Sequence, residues 1–192
     1  MDIKQTNRYI KPDNFDKNCK IFTELILKYN KIHNITGAKS AKQIEENIVD
    51  SIYPIKFLNK KIKSAIDIGT GAGFPGLILA MYLKEVNFTL FEPIKKRSSF
   101  LHLAKSALDL ENVDIISQRV EEIEAFDVDL ISSRAVTKTS LLIDICKDFI
   151  SKDTILLFYK GSNVDEEIKD IKNYQIHKRG NRQYLFIEDL TT

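Results

Sequence analysis

Apolar residues along this chain keep two different rhythms. Between Asn14 and Tyr29, the residues Phe15, Cys19, Phe22, Ile26 and Tyr29 recur at alternating steps of four and three, which lines one stripe of an amphipathic helix. A second helix is predicted from Ser40. Its hydroxyl is placed to cap the first turn, Gln43 can reach back three residues in a capping box, and Ile44, Ile48, Ile52 and Ile55 follow on one face. Beyond the basic link KKIK at 60–63 the rhythm changes to short apolar runs alternating with helical patterns. Strands are predicted near 64–68, 86–91, 113–117, 127–132 and 154–159, and helices near 75–84, 94–109, 138–150 and 163–172. Such alternation predicts an α/β fold, a parallel sheet with crossover helices. The tail YQIHKRGNRQYLFIEDL departs from it, with two strand-like runs either side of Gly180 and Asn181, a dipeptide suited to a tight turn. An antiparallel C-terminal hairpin is therefore expected to close the sheet edge. The predicted organisation is an N-terminal helical cap over 1–62 and an α/β domain over 63–192, joined in one compact unit.

Composition narrows the class. With 192 residues and 43% hydrophobic content the chain supports one sizeable core and falls short of two full domains. The net charge of +2 gives no overall basicity, so any nucleic-acid surface must be local. Cys19 and Cys146 stand apart, without CxxC spacing or a metal-type His/Cys cluster, as expected of a chain in a reducing cytoplasm with no metal. The longest apolar run, Leu77 to Leu83, is far below the ~18 residues of a bilayer span, so no membrane partner is expected.

The densest chemistry lies in DIGTGAGFPG, 67–76, at the first strand-to-helix turn. In a parallel α/β sheet ligands sit outside the carboxyl ends of the strands, and a turn without side chains there lets backbone approach them closely. Pro75 costs the helix nothing at its first turn, where its missing N–H would have no partner, and the free N–H groups around it favour a phosphate or carboxylate. Gly71, Gly73 and Gly76 satisfy the dinucleotide pattern G-x-G-x-x-G, while Asp67, Gly69, Gly71 and Gly73 give the D-x-G-x-G-x-G spacing of S-adenosylmethionine binders. The glycines do not choose between them. Glu92, closing the second strand, suits ribose hydroxyls in either reading. Asp67 favours the methyl donor, because a carboxylate beside a methionyl amino group is welcome and one beside a pyrophosphate is not. The bland alternative is that the glycines only make a turn and Asp67 only caps the helix.

Beyond this loop the chain resembles the RsmG (GidB) methyltransferase family. The likeness runs in order through NKIHNIT (30–36), NIVDSI (47–52), DIGTGAGFPG, KKRSSFL (95–101), QRVEE (118–122), SSRAV (132–136) and the pair Lys160–Gly161. The resemblance implies a class I S-adenosylmethionine-dependent methyltransferase, Rossmann-like, that methylates N7 of guanine 527 in the 530 loop of 16S rRNA. Carried over residue by residue, it places donor contacts on Gly69, Phe74, Val120, Glu121 and Arg134, beside Asp67, Gly71, Gly73 and Glu92 from the loop reading. Where the family commonly has a histidine three residues before Asp-Ser, this chain has Asn47, which alters any RNA contact made there.

The chemistry so implied is undemanding of side chains. N7 already presents an unprotonated lone pair, so no general base is required, and Arg134 and Lys160 are assigned positioning roles. Neither a Pro-Cys pair nor an NPPY-type loop follows the fourth strand, where SSRAV stands. The partner would be 16S rRNA or a small-subunit assembly particle, since N7 inside an A-form helix is out of reach. RNA-binding candidates are Lys95, Lys96, Arg97, Arg119, Lys138 and Lys160, whereas the basic hairpin HKRGNR at 177–182 is read as protecting the sheet edge, with a phosphate contact as its alternative. A monomer is expected. The rival readings are another nucleic-acid or small-molecule class I methyltransferase, a non-catalytic nucleotide-binding module, and an NAD-binding oxidoreductase, which would lack chain for a substrate domain.

Overall fold

The computed structural model describes residues 9–162, 164–169 and 171–190. Two helices come first, α1 (Phe15–His33) and α2 (Ala41–Ile52), followed by a 3₁₀ turn at Tyr53–Phe57. Ser40 caps α2 as expected, its hydroxyl accepting from Gln43 N at 3.3 Å, but the Gln43 side chain returns to Lys39 N at 2.7 Å and not to Ser40. Then β1 (Ser64–Ile68), α3 (Gly76–Tyr82), β2 (Asn87–Phe91), α4 (Lys95–Leu108), β3 (Val113–Ile116), β4 (Leu130–Arg134), α5 (Thr139–Cys146) and β5 (Ile155–Lys160) alternate. The short α6 (Val164–Glu167) leads to the hairpin β6 (Tyr174–Arg179) and β7 (Arg182–Ile187).

The seven strands lie in the order β3-β2-β1-β4-β5-β7-β6, parallel except for β7, which runs antiparallel to both neighbours. Central strands are buried on both faces, as continuous apolar runs in a parallel sheet require. One face carries α1 to α4 around Phe22, whose ring meets Phe74 edge-on at 5.5 Å and lies 6.1 Å from Phe100. The other face, with Ile66, Ile131, Leu156 and Leu185, packs against α5. The cap helices thus share one core with the sheet.

Two expected elements differ. The helix predicted over 163–172 has its α-helical turn only at Val164–Glu167; Ile171 N then bonds the Ile168 carbonyl, an i to i+3 contact that ends α-type pairing. The fourth strand lies at 130–134 and not 127–132. Asp129 precedes it, its backbone bonding Ser64 O and Ile155 N and its carboxylate accepting from Lys63 N and Ser64 N at 2.7 and 3.1 Å. That staple leaves Arg134 as the last residue of β4, at the carboxyl edge beside β1. Strand order reverses between β1 and β4, where a crevice forms.

Candidate functional site

At that crevice Gly69, Gly71 and Gly73 take φ of +68°, +64° and +100°, conformations that L side chains resist. The loop is fixed to the second strand by its backbone, Gly69 N and Thr70 N both donating to the Phe91 carbonyl. Glu92, 2% exposed, completes the attachment: one oxygen accepts from Gly71 N at 2.8 Å and the other from Ile94 N at 2.9 Å. Each carboxylate oxygen keeps further accepting capacity. Above lies a cavity of about 480 Å³ walled by Gly69 to Ala72, Phe74, Glu92 to Ile94, Arg97, Arg134 to Val136 and the cap segment Ile35 to Gly37. A cavity of about 760 Å³ between Tyr9, Lys63 and Val86 opens at the opposite, amino ends of the strands, away from the loop.

Six of the expected residues meet at the first cavity: Gly69, Gly71, Phe74, Glu92, Arg97 and Arg134. Gly69 has no room for a side chain, since a Cβ would come within 2.5 Å of Val136. Phe74 serves both core and cavity, its ring backed by Phe22 and faced by the Arg134 guanidinium at 5.0 Å. Arg134 is aimed by two residues of α2, donating to Asn47 Oδ1 at 3.0 Å and to Asp50 Oδ2 at 3.3 Å. Burial works against its charge, and the Asp50 carboxylate works to restore it.

Asp67 does not reach the cavity. It lies fully buried beneath the loop, accepting from Thr70 Oγ1, from Ser132 Oγ at 2.6 Å and from Gly76 N at 2.9 Å, the last a bond to the start of α3. Burial pushes this carboxyl up to about 6, although all three donors pull the other way. Gly73 also faces inward: a Cβ there would meet Phe22 and Leu77 at 3.0 and 3.1 Å, so its bareness admits α1 and not a ligand. Val120 is buried in the opposite core layer, and Glu121 is exposed and paired with Arg119 at 3.8 Å; neither lines the cavity.

Among the basic candidates, Lys95, Lys96, Arg119 and Lys138 are exposed. Lys95 and Lys96 begin α4, which has no acid in its first turn, so the positive end of the helix dipole stands beside two cations. Lys160 is not free: it donates to Glu167 at 2.8 Å and to the Thr137 carbonyl at 3.1 Å. Burial tends to raise the pKa of Glu167, but bonds from Lys160, from the Thr139 hydroxyl and from Thr139 N hold it below the usual carboxylate range. The pair anchors the loop leaving β4, where Ala135 takes φ of +56°.

Sequence reasoning passed over Asp50 and Glu167. Asp50 carried a signal: an acid three residues after Asn47 lies on the same helical side, and an acid close to the buried Ile48 and Ser51 requires a partner. Among the described residues no cluster of His, Cys, Asp and Glu could hold a metal, and no helix is long and apolar enough to cross a membrane.

A family model described as rRNA small subunit methyltransferase G, GidB, matches residues 16–189. The chain is 46% identical over 180 residues to the ribosomal RNA small subunit methyltransferase G of Aliarcobacter butzleri, covering 93% of this chain and 92% of the relative. It is 47% identical over 165 residues to that of Wolinella succinogenes, covering 86% and 85%. In fold it is similar to a putative S-adenosyl-L-methionine-dependent methyltransferase of Methanococcus maripaludis, with TM-score 0.63 at 14% identity over 95% of this chain and 97% of the other. A mutant of MtNAS in complex with S-adenosylmethionine gives TM-score 0.64 at 11% identity over 91% and 77%.

Proposed function

The chain belongs to the GidB family of rRNA small subunit methyltransferases, and from that premise we propose that it transfers a methyl group from S-adenosylmethionine to 16S rRNA, at N7 of the guanine its family resemblance implies, position 527 in the 530 loop. The observation that carries the reading is Glu92, a buried carboxylate closing β2, tied to the glycine loop through Gly71 N and turned to the same cavity. That pairing of loop and acid suits a nucleoside whose ribose hydroxyls donate to Glu92 beside the bare loop. The volume, about 480 Å³, falls within the range of cofactor pockets. The cofactor supplies a methyl group already activated on a sulfonium; the protein supplies position.

With the donor bound, transfer would form the N7–methyl bond at the expense of the sulfur–methyl bond, leaving the cavity residues only to hold the two reactants in line. No proton need be removed first. The cavity lining fits this economy: its one carboxylate, Glu92, is held by two backbone N–H groups, and no histidine or cysteine lines it. Arg134, stacked on Phe74 and held by Asn47 and Asp50, offers a fixed guanidinium to an anionic group of donor or RNA. Asn47, where relatives in the family commonly have histidine, is read here as part of that support. The cap, 1–62, is proposed as the part that closes the donor cavity over the α/β domain, 63–192, through Ile35 to Gly37.

The test is incubation with tritiated donor and small subunits lacking the modification, followed by mapping of the labelled nucleotide. Label at the 530-loop guanine supports the reading. Absence of label, or label on another base, overturns the assigned target.

A further inference from the structure

A second cavity, of about 670 Å³, lies on the other side of the Arg134 supports. Its walls are α2, through Gln43, Glu46, Asn47 and Asp50, and the hairpin turn, through Arg179, Gly180 and Arg182. It shares Gly37 with the first cavity, and Asn47 and Asp50, which hold Arg134 from one side, form its wall on the other. We propose that this cleft binds the backbone phosphates of the RNA substrate, with Arg179 and Arg182 as its cations; the inference rests on the methyltransferase reading above.

Edge protection does not explain these two arginines. Arg182 belongs to β7, which is flanked on both sides by β5 and β6 and has no free edge. Arg179 is on the edge strand, but its guanidinium folds over the Tyr53 ring at 5.6 Å and so lies above the sheet, not along its rim. The two are also directly opposite in the antiparallel register, a like-charge pair that costs stability unless an anion lies between or above. Asp50 meets only part of that need. It is 3.8 Å from Arg182 but is already engaged by Arg134 at 3.3 Å and by the Tyr184 hydroxyl at 2.8 Å. Glu46 is the other acid in the cleft, and once Arg134, which shares Asp50 from the far side, is counted, three guanidiniums stand against two carboxylates.

Lys56 extends the basic strip along the same aromatic surface, 3.8 Å above the Tyr53 ring and 4.8 Å from Phe57, which stacks in turn on His177 at 3.5 Å. Cations held over aromatic faces beside a polar cleft are suited to a polyanion carrying bases. A strand seated on this strip would reach the first cavity past Gly37 and Arg134.

The experiment uses small subunits as substrate and compares wild type with Arg179→Ala and with the double variant Arg179→Ala, Arg182→Ala. Each chain is assayed for subunit KM, for kcat, for direct subunit binding as salt is raised, and for donor affinity. The proposal expects a KM raised about tenfold in the double variant, donor affinity unchanged, and a salt slope shallower by about 1 per lost phosphate contact. Arg179→Ala alone, at an exposed hairpin position, gives part of the effect on an intact fold, and Arg179→Lys restores most of the slope. KM, binding and salt slope equal to wild type in both alanine variants would overturn the site while leaving the reaction standing. Subunit binding that depends on these arginines without any methyl transfer would keep the site and overturn the reaction.

Discussion

The two cavities at the carboxyl edge of the sheet meet at one arginine and its supports, yet they are built on opposite plans. The first is made of backbone and buried polar atoms: a bare loop at positive φ, a carboxylate fixed by two N–H groups, and Asp67 knotted beneath. The second is made of exposed side chains, with Arg182 about half exposed and Arg179 exposed over Tyr53. A rigid wall suits one small cofactor held in one pose, whereas long cations suit a polymer whose backbone must be accepted before it is positioned. Arg134 belongs to both plans, buried and paired like the first and cationic like the second.

The strongest way to break this division is to remove that wall. Arg134→Ala leaves Asp50 buried with less compensation, and urea unfolding is expected to show a loss of about 3 to 5 kcal/mol, nearer the lower figure because Arg182 and Tyr184 remain beside it. Adding Asp50→Asn to Arg134→Met should return most of the stability and none of the methylation. A stable, active Arg134→Ala protein would show that the wall carries neither role.

Asp67 sharpens the contrast from the rigid side. Its pKa is raised in the fold, so its contribution to stability is fully present below its ordinary range near 3.8 and is lost as pH rises through about 6. Wild type should therefore lose about 3 kcal/mol relative to Asp67→Asn between pH 3.5 and pH 7, at about 1.4 kcal/mol for each pH unit between those two values. The opposite slope would mean that the three hydrogen bonds outweigh burial.

A smaller effect is expected at Gly76. A Cβ there would come within 2.5 to 2.6 Å of Asp67 and Leu90, so Gly76→Ala should cost about 2 kcal/mol by overpacking the floor of the loop, read from the same urea titration. Gly37→Ala, in the wall shared by both cavities, meets nothing within 4 Å and serves as the neutral control.

The first cavity was largely legible because its parts are contiguous: strand, bare turn and helix within ten residues, and an acid 21 positions on from Gly71. Periodicity likewise placed the sheet and hairpin, and erred mainly at local bonds it does not register, the Asp129 carboxylate on Lys63 N and the Ile171 N bond to the Ile168 carbonyl. What the sequence did not reveal depends on contacts across long separations. The bond that Asp67 accepts from Ser132 spans 65 residues, and the support that Asn47, noted in the sequence only as a replacement for a family histidine, gives Arg134 spans 87. Lys160, read from the sequence as a positioning and RNA-binding cation, is paired with Glu167. The resemblance places a donor contact on Glu121, which in the structure is exposed and paired with Arg119.

The central claim is that the glycine loop and Glu92 together hold the methyl donor. Calorimetric titration of S-adenosylmethionine into wild type and Glu92→Ala, with thermal unfolding of each chain as control, tests it most directly. The account predicts saturable heat for wild type, competition by S-adenosylhomocysteine, and affinity at least tenfold weaker in a variant that remains folded. No heat with wild type, or equal affinity in the two, would contradict it.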